Sequence, residues 1–244
     1  YHLSQWRLMH IGAQPVPPSL IKHWMRYFPH HKYDTNYGLS ESTGPGCVHL
    51  GMDHLDKVGA IGVPGYGWKV KIVDEQNALV KQGDVGELCV KGPGVMVCYY
   101  HNPEATAEVL ENGWLHTGDM GYLDGDGNVH LTGRLKELII RGGENISPAE
   151  VEAVLAGDDR VETCKAVGVP DPHYGEVVCL CVVCRKGARC TEAELKTELK
   201  AGLADFKVPQ YILFLERLPE TLTGKVRVQE LKDLARETLG LTSD

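Results

Sequence analysis

The sequence has no run of lysine or arginine longer than two residues, no long apolar stretch and no P-loop, and each absence closes off a class of function. The net charge is −8, from 33 acidic and 25 basic residues. Without a basic stripe, a nucleic-acid or anionic-membrane surface is excluded as a main partner. Nothing approaches the roughly 18 consecutive apolar residues of a membrane-spanning helix. No basic segment followed by an apolar one opens the chain, so no signal peptide is read and a cytoplasmic setting is the default. The first residue is Tyr1, and the pattern starts midway, as in a truncated or processed piece. The P-loop spacing is also missing: Leu222-Thr223-Gly224-Lys225 has no upstream glycine at the required distance.

Metal-site spacing is equally thin. Cys181 and Cys184 form one CxxC pair, with no second pair and no HxxxH to complete a zinc site. The surrounding segment, Val177–Cys184, reads instead as a buried strand, in which successive side chains point to opposite faces. The cysteines then act as small core residues in a reducing compartment. What is present is an ordinary globular balance, 43% hydrophobic and 24% charged over 244 residues, enough for two domains.

The first part is turn-rich, with short strands at Val70–Val73, Gly86–Val90 and Asn128–Leu131 and helices near Ser19–Tyr27 and Glu104–Leu110. Asp124-Gly125-Asp126-Gly127-Asn128 resembles a calcium loop, but Val129 and Leu135 stand where that loop needs Gly and Glu, so it reads as a hairpin turn. After Arg134 the texture changes to alternating strands and helices. Ser147-Pro148-Ala149-Glu150 and Thr191-Glu192-Ala193-Glu194 predict capping boxes opening two helices. A third helix is predicted from about Val228 to Leu239. The fold class expected is mixed α/β, divided as residues 1–133 and 134–244.

Three clusters carry candidate chemistry. In Asn36-Tyr37-Gly38-Leu39-Ser40-Glu41, an aromatic face, a hydroxyl and a carboxylate suit a flat base, a phosphate oxygen and a hard divalent cation. Gly113-Trp114-Leu115-His116-Thr117-Gly118-Asp119 ends in a turn-borne carboxylate suited to paired ribose hydroxyls. Arg134-Leu135-Lys136 leads through a strand to a Gly142-Gly143 turn. Lys225, taken alone, reads as a solvated lysine on a loop tip.

In this order the clusters resemble the adenylate-forming superfamily of acyl- and aryl-CoA synthetases, peptide-synthetase adenylation domains and beetle luciferases. The resemblance starts at Gly12-Ala13-Gln14-Pro15 and covers essentially the whole chain. It implies the C-terminal part of a large domain, with a β-rich subdomain, followed by a small mobile lid. It further implies that Gly12, Ala13 and Gln14 line an adenine pocket, although the family usually has proline where Gln14 stands. Asn36, Tyr37 and Gly38 join that pocket, with Tyr37 stacking on adenine. Ser40 would touch the phosphates and Glu41 would bind Mg²⁺, while Asp119 and Arg134 hold the ribose. Lys136 would be the hinge, Lys225 the lysine that meets the substrate carboxylate and α-phosphate, and Gly142, Gly143 and Lys207 contacts for CoA.

The implied reaction joins a small carboxylic acid to CoA at the expense of ATP, through an acyl-adenylate. Gly142-Gly143-Glu144-Asn145-Ile146-Ser147-Pro148 after the hinge resembles fatty-acyl and aryl-CoA ligases. The rival readings are loading of a carrier protein, a luciferase-like oxidation, or a non-catalytic nucleotide-binding module. The family's phosphate loop is absent from this sequence, as is most of the acid pocket, so this polypeptide alone is expected to turn over little or no substrate. The acid's identity and any homo-oligomer are not legible.

Overall fold

The computed structural model describes the chain except residues 1, 4, 13–15, 17, 223 and 242–244. Two compact units follow one another, Tyr1–Leu135 and Lys136–Asp244.

The first unit is built from short strands. Leu8–His10 and Lys32–Asp34 pair in parallel, next to helix α1, Pro18–Tyr27. Asn36–Leu39, Gly44–His49 and Val63–Pro64 form an antiparallel trio. A five-stranded sheet runs in the order Val129–Arg134, Trp114–Leu123, Gly86–Lys91, Lys69–Val73, with Leu110–Glu111 pairing beside Trp114–Leu123. Helix α2, Pro103–Val109, starts with Asn102 accepting a hydrogen bond from the Ala105 amide and has a proline in its first turn. The tight segment after Leu123 is a hairpin turn. Asp124 accepts backbone hydrogen bonds from Asp126 and Asn128 through Oδ1, at 3.0 and 2.8 Å. That is an Asx-type turn.

The second unit places helices on both faces of one sheet. Gly175–Cys184 lies at its centre, antiparallel to Val161–Asp171 and parallel to Tyr211–Phe214. The short hairpin Ile139–Arg141/Glu144–Ile146 continues it. Along the central strand, Val178, Leu180 and Val182 pack with α3 (Pro148–Leu155) and α4 (Glu192–Gly202). Val177, Cys179, Cys181 and Val183 pack on the other face with α5, Val228–Leu239. Burial on both faces explains why the segment reads as one apolar run rather than an alternation. Cys181 and Cys184 therefore diverge to opposite sides, Cys184 lying against the α3–α4 core. Among the described residues, no helix is long and apolar enough to cross a membrane.

One expectation fails. Ser147 is the N-cap of α3, but its side chain makes no cap hydrogen bond, so the predicted box does not form there. The Glu150 carboxylate takes the Lys207 ammonium instead, at 2.7 Å from both oxygens. With both carboxylate oxygens on the ammonium, Glu150 does not reach back to the Ser147 amide. The second box does close: Thr191 Oγ1 accepts from the Glu194 amide at 3.3 Å, and Glu194 accepts from the Thr191 amide at 2.9 Å. Thr191→Ala is accordingly expected to cost about 1 kcal/mol of stability. Urea unfolding followed by far-ultraviolet circular dichroism measures it, and no loss would mean that the cap contributes nothing.

Candidate functional site

The first unit gathers three of the predicted residues around one buried carboxylate. Tyr37 enters on the strand Asn36–Leu39, and Asp119 and Arg134 face each other across the pairing of Trp114–Leu123 with Val129–Arg134. The Asp119 side chain is nearly sealed from solvent, at 7% exposure. The Tyr37 hydroxyl donates to Oδ2 at 2.5 Å, and the Arg134 guanidinium donates through Nε to Oδ1 at 2.9 Å. A buried carboxylate needs donors to replace the water it loses, and these two supply them. Each carboxylate oxygen keeps a further lone pair for a ligand hydroxyl.

Tyr37 differs from the open stacking platform read from sequence. It belongs to the core of the unit, at 9% exposure, packed with Val48, Ile72, Leu88 and Val129. Desolvation, reinforced by the Asp119 charge and hydrogen bond, pushes its hydroxyl far above the ordinary tyrosine range. The phenol thus stays protonated and serves as a donor.

Asp119 lies within the strand Trp114–Leu123 and not on the turn read from sequence, because that segment pairs with strands on both sides. Gly118 adopts φ +71°, a left-handed conformation that favours glycine. Its amide donates to Glu87 Oε1 at 2.9 Å, and the Thr117 hydroxyl donates to the Leu88 carbonyl at 2.7 Å. Sequence reading missed Glu87 because the strand pairing of Gly86–Lys91 with Trp114–Leu123, and not local spacing, brings it there.

Ser40, Glu41 and Ser42 form a 3₁₀ turn directly after the Tyr37 strand. Ser40 is exposed and Glu41 half-buried. The Tyr99 hydroxyl donates to Glu41 Oε1 at 2.7 Å, and that bond raises the Tyr99 pKa. The Met96 amide holds the Glu41 carbonyl at 2.7 Å. An orientation-locked carboxylate on an open turn fits a hard, oxygen-seeking cation such as Mg²⁺. Tyr99 carries no signal of this role in local sequence. Asn36 bonds the His10 ring at 3.0 Å, Gly38 lies in the same strand as Tyr37, and Gly12 comes close to Asn36. Ala13 and Gln14 lie outside the described residues.

In the second unit, Lys136 is exposed within the 3₁₀ turn Leu135–Glu137. Gly142 and Gly143 have φ +59° and +91°. The Gly142 amide donates to the Tyr174 carbonyl, and the Arg141 guanidinium lies 4.5 Å from the Tyr174 ring centre. Lys207 is held by Glu150, so an incoming phosphate would compete with that carboxylate. Lys225 is exposed at the end of a tight turn, where its amide donates to Thr221 Oγ1 and its carbonyl accepts from the Thr221 amide.

The chain is also similar to known proteins. The AMP-binding enzyme family matches residues 1–100, and the AMP-binding enzyme C-terminal domain matches residues 150–225. A feruloyl-CoA synthase of Amycolatopsis sp. is 43% identical over 232 residues, covering 94% of this chain and 46% of that protein. A long-chain-fatty-acid–CoA ligase of Salmonella typhimurium is 37% identical over 226 residues, with 92% and 40% covered. Among solved structures, the o-succinylbenzoate CoA synthetase of Bacillus subtilis, in complex with its acyl-adenylate intermediate, matches with a TM-score of 0.85 at 33% identity, covering 93% of this chain and 46% of that one. The chain spans about half the length of the curated relatives it matches.

Tyr37→Phe removes one donor from Asp119 and leaves the ring in place. The expected result is a loss of about 1–3 kcal/mol in the first unit, the cost of orphaning a buried acceptor. All four tryptophans, Trp6, Trp24, Trp68 and Trp114, lie in that unit, so their fluorescence during urea unfolding reads it directly. An unchanged midpoint would show that the bond does not hold the site.

Proposed function

This chain belongs to the family of AMP-binding enzymes, and we propose that it is the C-terminal half of an ATP-dependent, AMP-forming acid–CoA ligase acting on a fatty or aryl acid. The observation that carries the reading is the buried Asp119 carboxylate, held by Tyr37 and Arg134, on the same unit as the Ser40–Glu41 turn. A fixed carboxylate suits a ribose diol, and a hydroxyl and carboxylate one turn away suit phosphates and their cation.

The substrate carboxylate attacks the α-phosphorus of ATP, an acyl–phosphate bond forms and pyrophosphate leaves. The CoA thiol then attacks the acyl carbonyl, a thioester forms and AMP leaves. The first step brings anions together, so charge must be offset as it develops. Glu41, braced by Tyr99, is the proposed Mg²⁺ ligand; the ion supplies charge neutralisation at the phosphates. Ser40 donates to a phosphate oxygen. Tyr37 and the backbone of Gly12, Asn36 and Gly38 flank the base. Lys225 meets the substrate carboxylate and α-phosphate. Its place on a separate unit lets it withdraw after the first step, with Lys136 as the hinge, a gating device of recognised type. Gly142 and Gly143 line the thiol's approach, and Lys207 changes partner from Glu150 to a CoA phosphate. The proposed setting is a reducing cytoplasm.

CoA is preferred to a carrier protein as acceptor because the relatives are CoA ligases. In a chain extended upstream through the phosphate loop, Lys225→Ala is expected to slow acid-dependent pyrophosphate release by about 100-fold or more, the scale for losing a transition-state donor. Thioester formation from preformed acyl-adenylate should stay close to normal. Equal loss in both half-reactions would show that Lys225 does not act specifically in adenylation, and no acid-dependent pyrophosphate release in the unaltered protein would refute the ligase reading.

A further inference from the structure

We propose that Glu87, Cys89 and His116 form a binding site for a thiophilic divalent cation such as Zn²⁺, beside the strand segment that carries Asp119. The three residues come from adjacent strands, Gly86–Lys91 and Trp114–Leu123, and Cys89 pairs with His116 in register. Their donor atoms all lie within 4.8 Å of one another. His116 Nδ1 is 2.8 Å from Glu87 Oε2 and 3.4 Å from Cys89 Sγ.

An imidazole nitrogen carries at most one proton, yet a carboxylate and a sulfur both approach the same Nδ1. A Glu87–His116 ion pair accounts for the first approach and leaves the second without a function. A shared cation gives both a role, with the Glu87–His116 hydrogen bond opening to about 3.3 Å as the metal enters. At tetrahedral zinc, sulfur at about 2.3 Å and nitrogen at about 2.0 Å from the metal stand about 3.5 Å apart, close to the separation found. Cys89 is fully buried, whereas Glu87 and His116 retain side-chain exposures of 18% and 17%. Those two therefore open a path to solvent, and three protein ligands leave a fourth position for water. Glu111 lies 3.9 Å from Nε2, on the far side of the ring, where ligating histidines commonly have a carboxylate.

The metal class follows from the sulfur. A soft sulfur donor beside an imidazole nitrogen selects a borderline or soft cation, and the metal–sulfur bond forms as the thiol proton passes to solvent. Zn²⁺ and Co²⁺ meet that condition, and Mg²⁺, which prefers oxygen, does not. Glu87 Oε1 accepts from the Gly118 amide while Oε2 faces the cluster. The cation is thereby one carboxylate away from the backbone amide that precedes Asp119. This site stands independently of the ligase reading.

The test is titration of the chain with Co²⁺ under a non-thiol reductant, following the sulfur-to-cobalt charge-transfer absorption. The band should saturate at one equivalent, bleach on addition of Zn²⁺ and ignore Mg²⁺. Cys89→Ser should abolish it, Cys184→Ser should leave it, and His116→Asn or Glu87→Gln should weaken binding by about tenfold or more. A missing band, or one that survives Cys89→Ser, overturns the proposal. Should Cys89→Ser fail to fold, undiminished Co²⁺ binding in both His116→Asn and Glu87→Gln overturns it equally.

Discussion

Burying a carboxylate costs several kcal/mol unless donors replace the water it loses, and Asp119 is buried. The surroundings of the candidate site follow from meeting that cost. Tyr37 is drawn into the core as a proton donor, Arg134 is fixed at the end of its strand, and the strand backbone at Gly118 is held by Glu87. The strand that carries Tyr37 runs directly into the Ser40–Glu41 turn, so fixing the tyrosine also limits where that turn lies. A ligand diol would meet a carboxylate that is already oriented.

Much of the second unit was legible because its signals are local. The apolar run Val177–Cys184 could be read as a strand buried on both faces, and Thr191 with Glu194 as a capping box, since each depends on neighbours in sequence. The box at Ser147 misled for the opposite reason. Its glutamate was claimed by Lys207, a partner far away in the chain that only the fold brings near. In the first unit, residue types at the site could be read but their partners could not. Tyr37 looked like a free aromatic face, and its hydroxyl's attachment to Asp119 depends on the packing of strands distant in sequence. Tyr99 on Glu41, and Glu87 with Cys89 and His116, are hidden in the same way.

The residues assigned to the reaction divide between the two units, with the ribose and cation ligands on the first and the lysine and glycine turn on the second. That division suits chemistry with two successive transition states, since one face of the acyl group must be covered for adenylation and cleared for the thiol. The exposure of Lys136 and Lys225 and the positive φ of Gly142 and Gly143 fit segments that change partners between steps.

The central claim is that Asp119 recognises the ribose diol of an adenine nucleotide. Calorimetric titration of this chain with AMP and with 2′,3′-dideoxy-AMP tests it most directly, because the two ligands differ only in the hydroxyls that Asp119 would hold. Weaker binding of the dideoxy nucleotide by about tenfold or more is the predicted result, the scale of a hydrogen bond to a charged group. Equal affinity for both nucleotides would contradict the account.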